Sequence, residues 1–152
     1  MKRFKKFVIR ATYPMFTFYW FLFRPKTQGV KCLVEHKGRF LFVKLNYAHR
    51  SWTLPGGGVH TNETPLDAVK REVKEECGVT LDRVEKIGEY KSTRHYKRDT
   101  VYCFFAMVYS DYINIDKTEI GEAGWFNREE LPDGYMPAAD YLLDMYEKSR
   151  AQ

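Results

Sequence analysis

Hydrophobic and polar positions alternate along two neighbouring stretches of the chain, residues 29–36 and 39–45. Alternation with a period of two residues predicts β-strands, and the Lys37-Gly38 pair between the stretches is typical of a tight turn. The positions expected to face inward are apolar: Val30, Cys32, Val34, Phe40, Phe42 and Leu45. The pattern therefore predicts a β-hairpin with one inward set of side chains.

A helical period replaces the alternation after residue 64. Apolar residues then recur at spacings of three and four positions: Leu66, Val69, Val73 and Cys77. This spacing places them along one side of an amphipathic helix, where they would pack against a core. Thr64 is a typical N-cap, Pro65 suits the first helical position and Gly78 suits the end, so we expect the helix between these signals.

Three more strands and a second helix are predicted downstream. Residues 84–93 and 100–110 form a second strand pair, the later strand being rich in aromatic and β-branched residues. Residues 122–126 form a short strand, and residues 138–149 repeat apolar positions with a helical period. The order of two strands, a helix, three strands and a helix predicts an α/β fold with a mixed central sheet between helices.

Three carboxylates stand on one side of the first predicted helix. Glu72, Glu75 and Glu76 occupy positions i, i+3 and i+4, which project from a single helical turn. Arg71 is placed to pair with Glu75 one turn later and with Glu63 in the preceding loop. This spacing alone leaves two interpretations open: a solvated acidic face, or an oxygen-ligand site of the kind that Mg²⁺ or Mn²⁺ uses.

A longer pattern surrounds these carboxylates and runs from Gly57 to Val79. Its order is glycine, five residues, glutamate, seven residues, Arg-Glu, an aliphatic residue, one residue, Glu-Glu, one residue, glycine and an aliphatic residue. The segment resembles the complete signature of the Nudix hydrolases. Residues 52–58 and 121–132 also resemble that family, so that the likeness covers roughly residues 28–149. It implies a Nudix-like α/β/α sandwich with a mixed central sheet.

The resemblance also implies a reaction and a metal. Nudix hydrolases cleave the diphosphate linkage of nucleoside diphosphate derivatives with Mg²⁺, or with Mn²⁺ in its place. By position in the signature, Glu72 and Glu76 correspond to metal ligands, together with the backbone carbonyl oxygen of Gly56. Glu75 corresponds to a further metal ligand or to the general base, and the choice between the two roles stays open.

Two more residues are candidates for catalysis beside Glu75. Arg71 belongs to the signature, whereas Glu122 lies outside it and shares its candidate role, as a base or as a ligand of a second metal, with Glu119. For Glu119 and Glu122 the alternative interpretation is an exposed carboxylate in a turn, because a position outside a motif is weak evidence.

Candidate substrate-binding residues are a signature glycine and three loop side chains: Arg50, Gly57, Arg94 and Tyr96. Family members that cleave ADP-ribose carry a proline where Arg94 stands, about fifteen residues past the signature, whereas Tyr96 stands where dinucleoside polyphosphate hydrolases carry a tyrosine. Trp52 or Tyr90 is a candidate for stacking a base. For these aromatic residues and for the charged loop side chains, the favoured alternative interpretation is a core residue or a solvated loop residue. We expect a nucleotide or a nucleoside-diphosphate-linked small molecule as substrate, and nucleic acid is the less favoured alternative.

Composition is consistent with a nucleotide-binding domain. The chain has 152 residues, of which 44% are hydrophobic, enough for one domain with a buried core. Its net charge of +5 favours a polyanionic ligand or surface, such as a nucleotide, a nucleic acid or an anionic lipid. Cys32, Cys77 and Cys103 are an odd number without framework spacing, so we expect free thiols in a reducing compartment, the cytoplasm.

Residues 1–27 are predicted to form an N-terminal arm that precedes a Nudix hydrolase domain over residues 28–152. Five basic residues among the first ten precede an aromatic-rich run over residues 13–23. No small-residue cleavage site follows, and the run is shorter than the ~20 residues of a membrane-spanning helix. The arm is expected to pack on its own domain, to pack on a second subunit in a homodimer, or to anchor the chain peripherally to anionic membrane headgroups.

The competing functional class is a non-catalytic module on the same fold, which senses nucleotides or associates with a membrane. The intact signature favours the enzyme, because a module without catalysis has no need of four glutamates and the arginine together. Hydrolysis of nucleotides with and without Mg²⁺ separates the two classes.

Overall fold

The computed structural model describes residues 26–46, 51–92 and 98–151. Within these ranges six strands and two helices follow one another: β1 (Lys26–His36), β2 (Arg39–Leu45), β3 (Trp52–Thr53), α1 (Pro65–Cys77), β4 (Glu85–Ser92), β5 (Arg98–Met107), β6 (Ile120–Asn127) and α2 (Ala138–Arg150). All the predicted elements are present, and β3 adds a two-residue strand before α1. The prediction of an α/β fold with a mixed sheet is confirmed.

α1 begins and ends at the residues that its capping chemistry predicts. The Thr64 hydroxyl accepts a hydrogen bond from the backbone N–H of Asp67 (3.1 Å), and Pro65 is the first helical residue. Gly78 adopts a left-handed conformation (φ 69°), and its N–H donates to the carbonyl of Lys74 (2.9 Å). Both caps bond backbone groups that a helix end otherwise leaves unpaired, and this fixes where the helix starts and stops.

The central sheet has the strand order β3-β2-β1-β5-β4, and β6 pairs with β2 outside this order. β1 and β5 are parallel over ten residue pairs, whereas β4 is antiparallel to β5 and β6 is antiparallel to β2. β1 and β2 pair only at the turn of their hairpin, through Glu35 with Phe40 and His36 with Arg39. The first part of β1 is therefore left without β2 as a neighbour.

The glycine loop, residues 55–59, takes the place of β2 beside the first part of β1. The N–H of Cys32 donates to the carbonyl of Pro55 (3.0 Å), and the N–H of Val30 donates to the carbonyl of Gly57 (2.9 Å). These bonds hold the main chain of the loop against the strand. The loop that opens the signature is thereby fixed to the sheet before α1 begins.

Helices cover both faces of the sheet. The face towards α1 buries Val30, Val34, Leu41, Val43, Val69 and Val73. The face towards α2 buries Leu33, Phe40, Phe42, Cys103, Leu142 and Leu143. The prediction of a single inward set on the hairpin is therefore wrong, because Phe40 and Phe42 face α2 whereas Val30 faces α1. A sheet between helices buries both sides of its strands, so alternation cannot separate core from solvent there.

Leu66 is a second difference from the predicted packing. It is 41% exposed, and Ala68 is the first buried residue of α1. Leu66 borders a shallow surface hollow together with Val84, Tyr102 and Phe104. The buried side of α1 therefore starts at Ala68 rather than at Leu66.

Predictions for residues 1–25 of the arm, and for the substrate candidates Arg50, Arg94 and Tyr96, concern residues outside the described ranges. These predictions stay predictions. Among the residues that the structure describes, no helix is both long and apolar enough to cross a membrane.

Candidate active site

Two carboxylates of α1 face the glycine loop. The carboxylate of Glu76 accepts a hydrogen bond from the backbone N–H of Gly56 (2.9 Å), and Glu76 is only 7% exposed. Glu72, one turn earlier, lies against Gly57, where a Cβ atom would fall 2.5 Å from the carboxylate oxygen Oε1. A side chain at position 57 would displace Glu72, so this close approach requires glycine. The loop main chain and the two carboxylates form one compact, oxygen-rich site.

Arg71 ties the glycine loop to α1. Its Nε and Nη2 donate to the two carboxylate oxygens of Glu63 (2.8 and 3.0 Å), and its Nη1 donates to Glu72 (2.8 Å). Nη2 also donates to the carbonyl oxygen of Gly58 (2.9 Å), and Nη1 makes a longer bond to Glu75 (3.3 Å). The predicted pairings of Arg71 with Glu63 and Glu75 are confirmed. The bonds from Arg71 lower the pKa of Glu63 to about 2.

Glu75 is the exposed glutamate of the group. Its side chain is 62% exposed, against 15% for that of Glu72. Solvent therefore reaches the Glu75 carboxylate far more readily, although both groups are bound to the same arginine. The exposed carboxylate of Glu75 is therefore suited to exchanging protons with water, whereas the less exposed carboxylate of Glu72 is suited to holding a fixed position.

The two candidate carboxylates outside the signature have different surroundings. Glu122 pairs with Lys44 across β2 and β6 (3.2 Å), and its side chain is 61% exposed. Burial is the main reason that the pKa of Glu76 is raised, and the charge of Glu119 adds a smaller effect in the same direction. The structure therefore links Glu119 electrostatically to the buried glutamate, and a catalytic role of Glu122 stays a prediction.

The sequence-based reasoning missed Lys31, which lies beside the carboxylates. Its Nζ donates to the carbonyl oxygens of Leu54 (2.6 Å) and Gly56 (3.3 Å). Burial lowers the pKa of Lys31, and the charges of Glu76 and Glu72 act in the opposite direction. The available signal was a lysine within the apolar run of β1. A cation thus shares the glycine loop with the two buried glutamates.

A cavity of about 590 Å³ opens beside the glycine loop. The start of β1, the loop and neighbouring parts of β4 and β5 line it, including Gly29, Lys31, Gly57, Tyr90 and Asp99. Of the two candidates for stacking a base, Tyr90 is a lining residue. The ring of Tyr90 also lies beside that of Tyr141, with ring centroids 5.5 Å apart. Trp52 does not line the cavity, and its ring packs edge-on against Phe126, with ring centroids 5.1 Å apart.

Comparison with models of protein families identifies the family of this chain. The model of the NUDIX domain matches residues 23–146, which include β1, the glycine loop and α1. The chain belongs to the NUDIX family. The family and the fold predicted from the signature are both confirmed.

The relatives of this NUDIX chain include proteins named as RNA hydrolases. An RNA pyrophosphohydrolase from Thioalkalivibrio sulfidiphilus is 33% identical over 69 residues, which are 45% of this chain and 40% of that protein. A Homo sapiens protein named NAD-capped RNA hydrolase is 33% identical over 108 residues, 69% of this chain and 21% of that protein. The chain therefore matches less than half the length of either relative.

A solved NUDIX structure has the same fold. The MutT NUDIX hydrolase from Burkholderia pseudomallei superposes with a TM-score of 0.72 and is 25% identical, over 79% of this chain and 97% of that one. The MutT protein from Methanosarcina mazei gives a TM-score of 0.69 at 24% identity, over 84% and 97% of the two chains. The arrangement of sheet and helices is thus that of solved family members.

The NUDIX signature implies a divalent metal, and the donors present fit one. The carboxylates of Glu72 and Glu76 and the carbonyl of Gly56 are oxygen ligands, the type that Mg²⁺ and Mn²⁺ prefer. In the described part of the chain, no three His, Cys, Asp or Glu side chains converge into a complete metal-binding cluster. Mg²⁺ needs no such cluster, because it uses one or two carboxylates and keeps water and substrate phosphates as its other ligands.

The three cysteines take no part in the NUDIX site. All three thiols are free and buried. Burial raises the pKa of Cys77 and of Cys103 to about 12, and it also raises the pKa of Cys32. These thiols are therefore protonated and unreactive at neutral pH.

Burial of Glu76 predicts a pH-dependent stability in metal-free buffer. Desolvation raises the pKa of its carboxyl to about 7, although the charge of Lys31 and the N–H of Gly56 act against that rise. The unfolded chain releases this proton near pH 4.5, so raising the pH from there through 7 favours the unfolded state. We expect the contribution of Glu76 to the free energy of unfolding to fall by roughly 3 kcal/mol, at about 1.4 kcal/mol per pKa unit.

Urea unfolding of the wild type and of Glu76→Gln in EDTA, at pH 5 and at pH 8, measures this contribution. The glutamine variant has no proton to release at this position, so its stability should lack the decline. Equal changes in the two proteins between pH 5 and pH 8 would show that Glu76 titrates normally in the native state.

Proposed function

We propose that this chain is a Mg²⁺-dependent hydrolase that cleaves the diphosphate linkage of a nucleoside diphosphate derivative. The observation that carries the proposal is the contact of Glu72 and Glu76 with the main chain of Gly56 and Gly57. It places two carboxylates beside backbone groups that a ligand can approach closely. Membership of the NUDIX family and the relative named RNA pyrophosphohydrolase support this class of reaction.

Glu72, Glu76 and the carbonyl oxygen of Gly56 would hold Mg²⁺, or Mn²⁺ in its place. When bound, the ion neutralises charge on the diphosphate oxygens and lowers the pKa of a bound water. A diphosphate resists hydrolysis because its negative oxygens repel an incoming nucleophile, so neutralising that charge is the main task of the site. Lys31 adds a positive charge at the same glycine, because its Nζ bonds the carbonyl oxygen of Gly56.

Two other signature residues, Arg71 and Glu75, act as a positioning residue and as a general base. Arg71 holds Glu63, Glu72 and the carbonyl of Gly58 together and therefore acts as a positioning residue. We assign to Glu75 the role of general base, which takes the proton of the attacking water, because its carboxylate is more exposed to solvent than that of Glu72. Glu122 is the alternative base, and it would first have to leave its ion pair with Lys44.

Product release from a panel of substrates tests the proposed function. The panel contains nucleoside triphosphates, a nucleotide sugar, ADP-ribose, a dinucleoside polyphosphate and RNA with a 5′ triphosphate, each with Mg²⁺, with Mn²⁺ and with EDTA. We expect turnover of at least one member with either ion and none in EDTA, because the oxygen donors leave ligand positions for substrate phosphates. The member cleaved with the highest kcat/KM identifies the substrate class.

Two outcomes contradict the proposal in different ways. Full turnover in metal-stripped buffer would reject the metal-dependent mechanism. Binding of nucleotides without turnover of any panel member would favour the non-catalytic module on the same fold.

A further inference from the structure

Lys31 joins the cavity to the carboxylate site. It lines the cavity, and its Nζ bonds the carbonyl oxygen of Gly56 (3.3 Å). The N–H of that same glycine bonds the carboxylate of Glu76 (2.9 Å). The lysine ammonium therefore bonds one proposed metal ligand, the carbonyl oxygen of Gly56, and the same glycine links it to a second one, the carboxylate of Glu76.

The ammonium of Lys31 has capacity for a ligand. An ammonium group carries three N–H donors and no acceptor. Two donors go to backbone carbonyls, those of Leu54 (2.6 Å) and Gly56 (3.3 Å), in the contacts that the described residues make. The remaining donor and the positive charge suit an anionic oxygen, since hydrogen bonds between charged partners are about twice as strong as neutral ones.

The cavity has the size and the lining of a small-molecule site. Its volume of about 590 Å³ falls within the range of ligand pockets, ~300–1,000 Å³. Tyr90 gives it an aromatic side chain, and Gln28 and Asp99 give it polar ones. Gly29 leaves the wall open at its position, because a Cβ there would meet nothing nearer than the carbonyl oxygen of Gly57 at 3.4 Å.

Thr27 adds an unused hydrogen-bonding group at the same place. It lines the cavity, and its Oγ1 is buried without a hydrogen-bond partner among the residues that the structure describes. A buried hydroxyl without a hydrogen-bond partner is unfavourable, so a ligand group that bonded it would gain affinity. An aromatic ring, amide and carboxylate groups and an unpaired hydroxyl together suit a nucleoside, which offers a flat base and ribose hydroxyls.

We propose that the cavity binds the nucleoside portion of the substrate and that Lys31 contacts the phosphate attached to it. This inference rests on the proposed function and specifies how the substrate is oriented in the site. The nucleoside lies along the first part of β1, and the phosphate chain passes Lys31 to reach Glu72 and Glu76. The bond cleaved is then the anhydride directly after the first phosphate, and water adds across it to give a nucleoside monophosphate and the remaining phosphorylated part of the substrate. Substrates without a nucleoside lack the contacts in the cavity.

Binding of nucleosides and nucleoside monophosphates in EDTA tests the role of Lys31. Calorimetry with adenosine, AMP, guanosine and GMP compares the wild type with Lys31→Met, Lys31→Gln and Lys31→Arg. We expect the methionine and glutamine variants to bind the preferred monophosphate at least tenfold more weakly, to bind its nucleoside with unchanged affinity, and arginine to restore most of the loss. Lys86→Met, at a lysine with a half-exposed side chain outside the cavity, is the matched control and should bind both ligands normally.

Filling the cavity tests the nucleoside half of the proposal. Gly29→Val should weaken nucleoside and monophosphate equally, by at least tenfold, and Gly29→Ala should weaken them less. Thermal unfolding of each variant shows that the domain is folded during the measurement, and the alanine variant still reports on the cavity if valine is not tolerated. Unchanged binding by a folded Gly29→Val protein would place the nucleoside elsewhere.

Other results would overturn the role of Lys31. Unchanged monophosphate affinity in Lys31→Met and Lys31→Gln would remove it from the phosphate site. Equal weakening of nucleoside and monophosphate would make it a structural support of the glycine loop. These measurements need neither metal nor turnover, so their failure is distinguishable from failure of the proposed hydrolysis.

Discussion

Glu76→Gln should lower turnover at saturating Mg²⁺ and substrate by more than a hundredfold, which corresponds to a barrier increase above ~2.7 kcal/mol. The amide removes the negative charge that would hold the ion beside Gly56, while its shape keeps the side chain in place. Initial rates on the best substrate of the panel, measured over a range of Mg²⁺ concentrations, give the result. Raising the Mg²⁺ concentration should recover little, because a neutral amide is a poor ligand in place of a carboxylate.

The stability of the Glu76→Gln protein shows whether its loss of turnover comes from unfolding. The burial that raises the pKa of Glu76 to about 7 disfavours its charged form, so a neutral side chain should be at least as stable at pH 8. Glu89→Gln is the matched control, since Glu89 is an exposed carboxylate paired with Lys86 on β4. More than about a tenth of wild-type turnover in Glu76→Gln, a barrier change below ~1.4 kcal/mol, would remove Glu76 from the proposed role.

The helix that carries the site was predictable because its signals are local. Thr64 and Gly78 satisfy backbone groups within three or four residues of themselves, and this fixes both ends of α1 from sequence. The pairing of Arg71 with Glu63 and Glu75 follows from spacing along a loop and one helical turn. Interactions at short sequence separation leave a readable pattern along the chain.

Packing across the sheet was not predictable from the same patterns. Lys31 alternates with Val30 and Cys32, so an alternating strand with one buried side would place it in solvent. The structure instead brings it to carbonyl oxygens of residues 23 and 25 positions later in the chain, Leu54 and Gly56. Lys31 meets these carbonyl oxygens only because β1 and β2 diverge and the glycine loop fills the space between them. The spacing of hydrophobic residues along the sequence does not predict that arrangement.

The carboxylates outside the signature show the same limit. Glu119 and Glu122 are three positions apart and equivalent as sequence candidates. Pairing of β6 with β2 sets Glu122 opposite Lys44, whereas Glu119 precedes the strand and lies where its charge acts on Glu76. Their different surroundings follow from strand register, which depends on the whole sheet.

Gly56→Ala should destabilise the domain by about 3 kcal/mol or more, the largest stability loss expected for a single methyl group here. Gly56 has φ +139°, a conformation that costs a residue with a Cβ about 1–3 kcal/mol. The added Cβ would also overlap the backbone carbonyl oxygen of Val30 and lie 2.9 Å from the Cα of Lys31. Both are backbone atoms of β1, so neither can turn aside as a flexible side chain would.

Gly58→Ala is the matched control for this substitution, because it lies in the same loop with nothing within 4 Å of the added Cβ and without a positive φ. Urea unfolding in EDTA should give a change within about 1 kcal/mol for Gly58→Ala, so that the difference between the variants isolates the constraint at position 56. A difference below about 0.5 kcal/mol would mean that the glycine loop moves freely from β1. The hydrogen bonds of Gly56 to Glu76 and Lys31 would then hold no fixed site, and the placement of the metal ligands beside the cavity would lose its support.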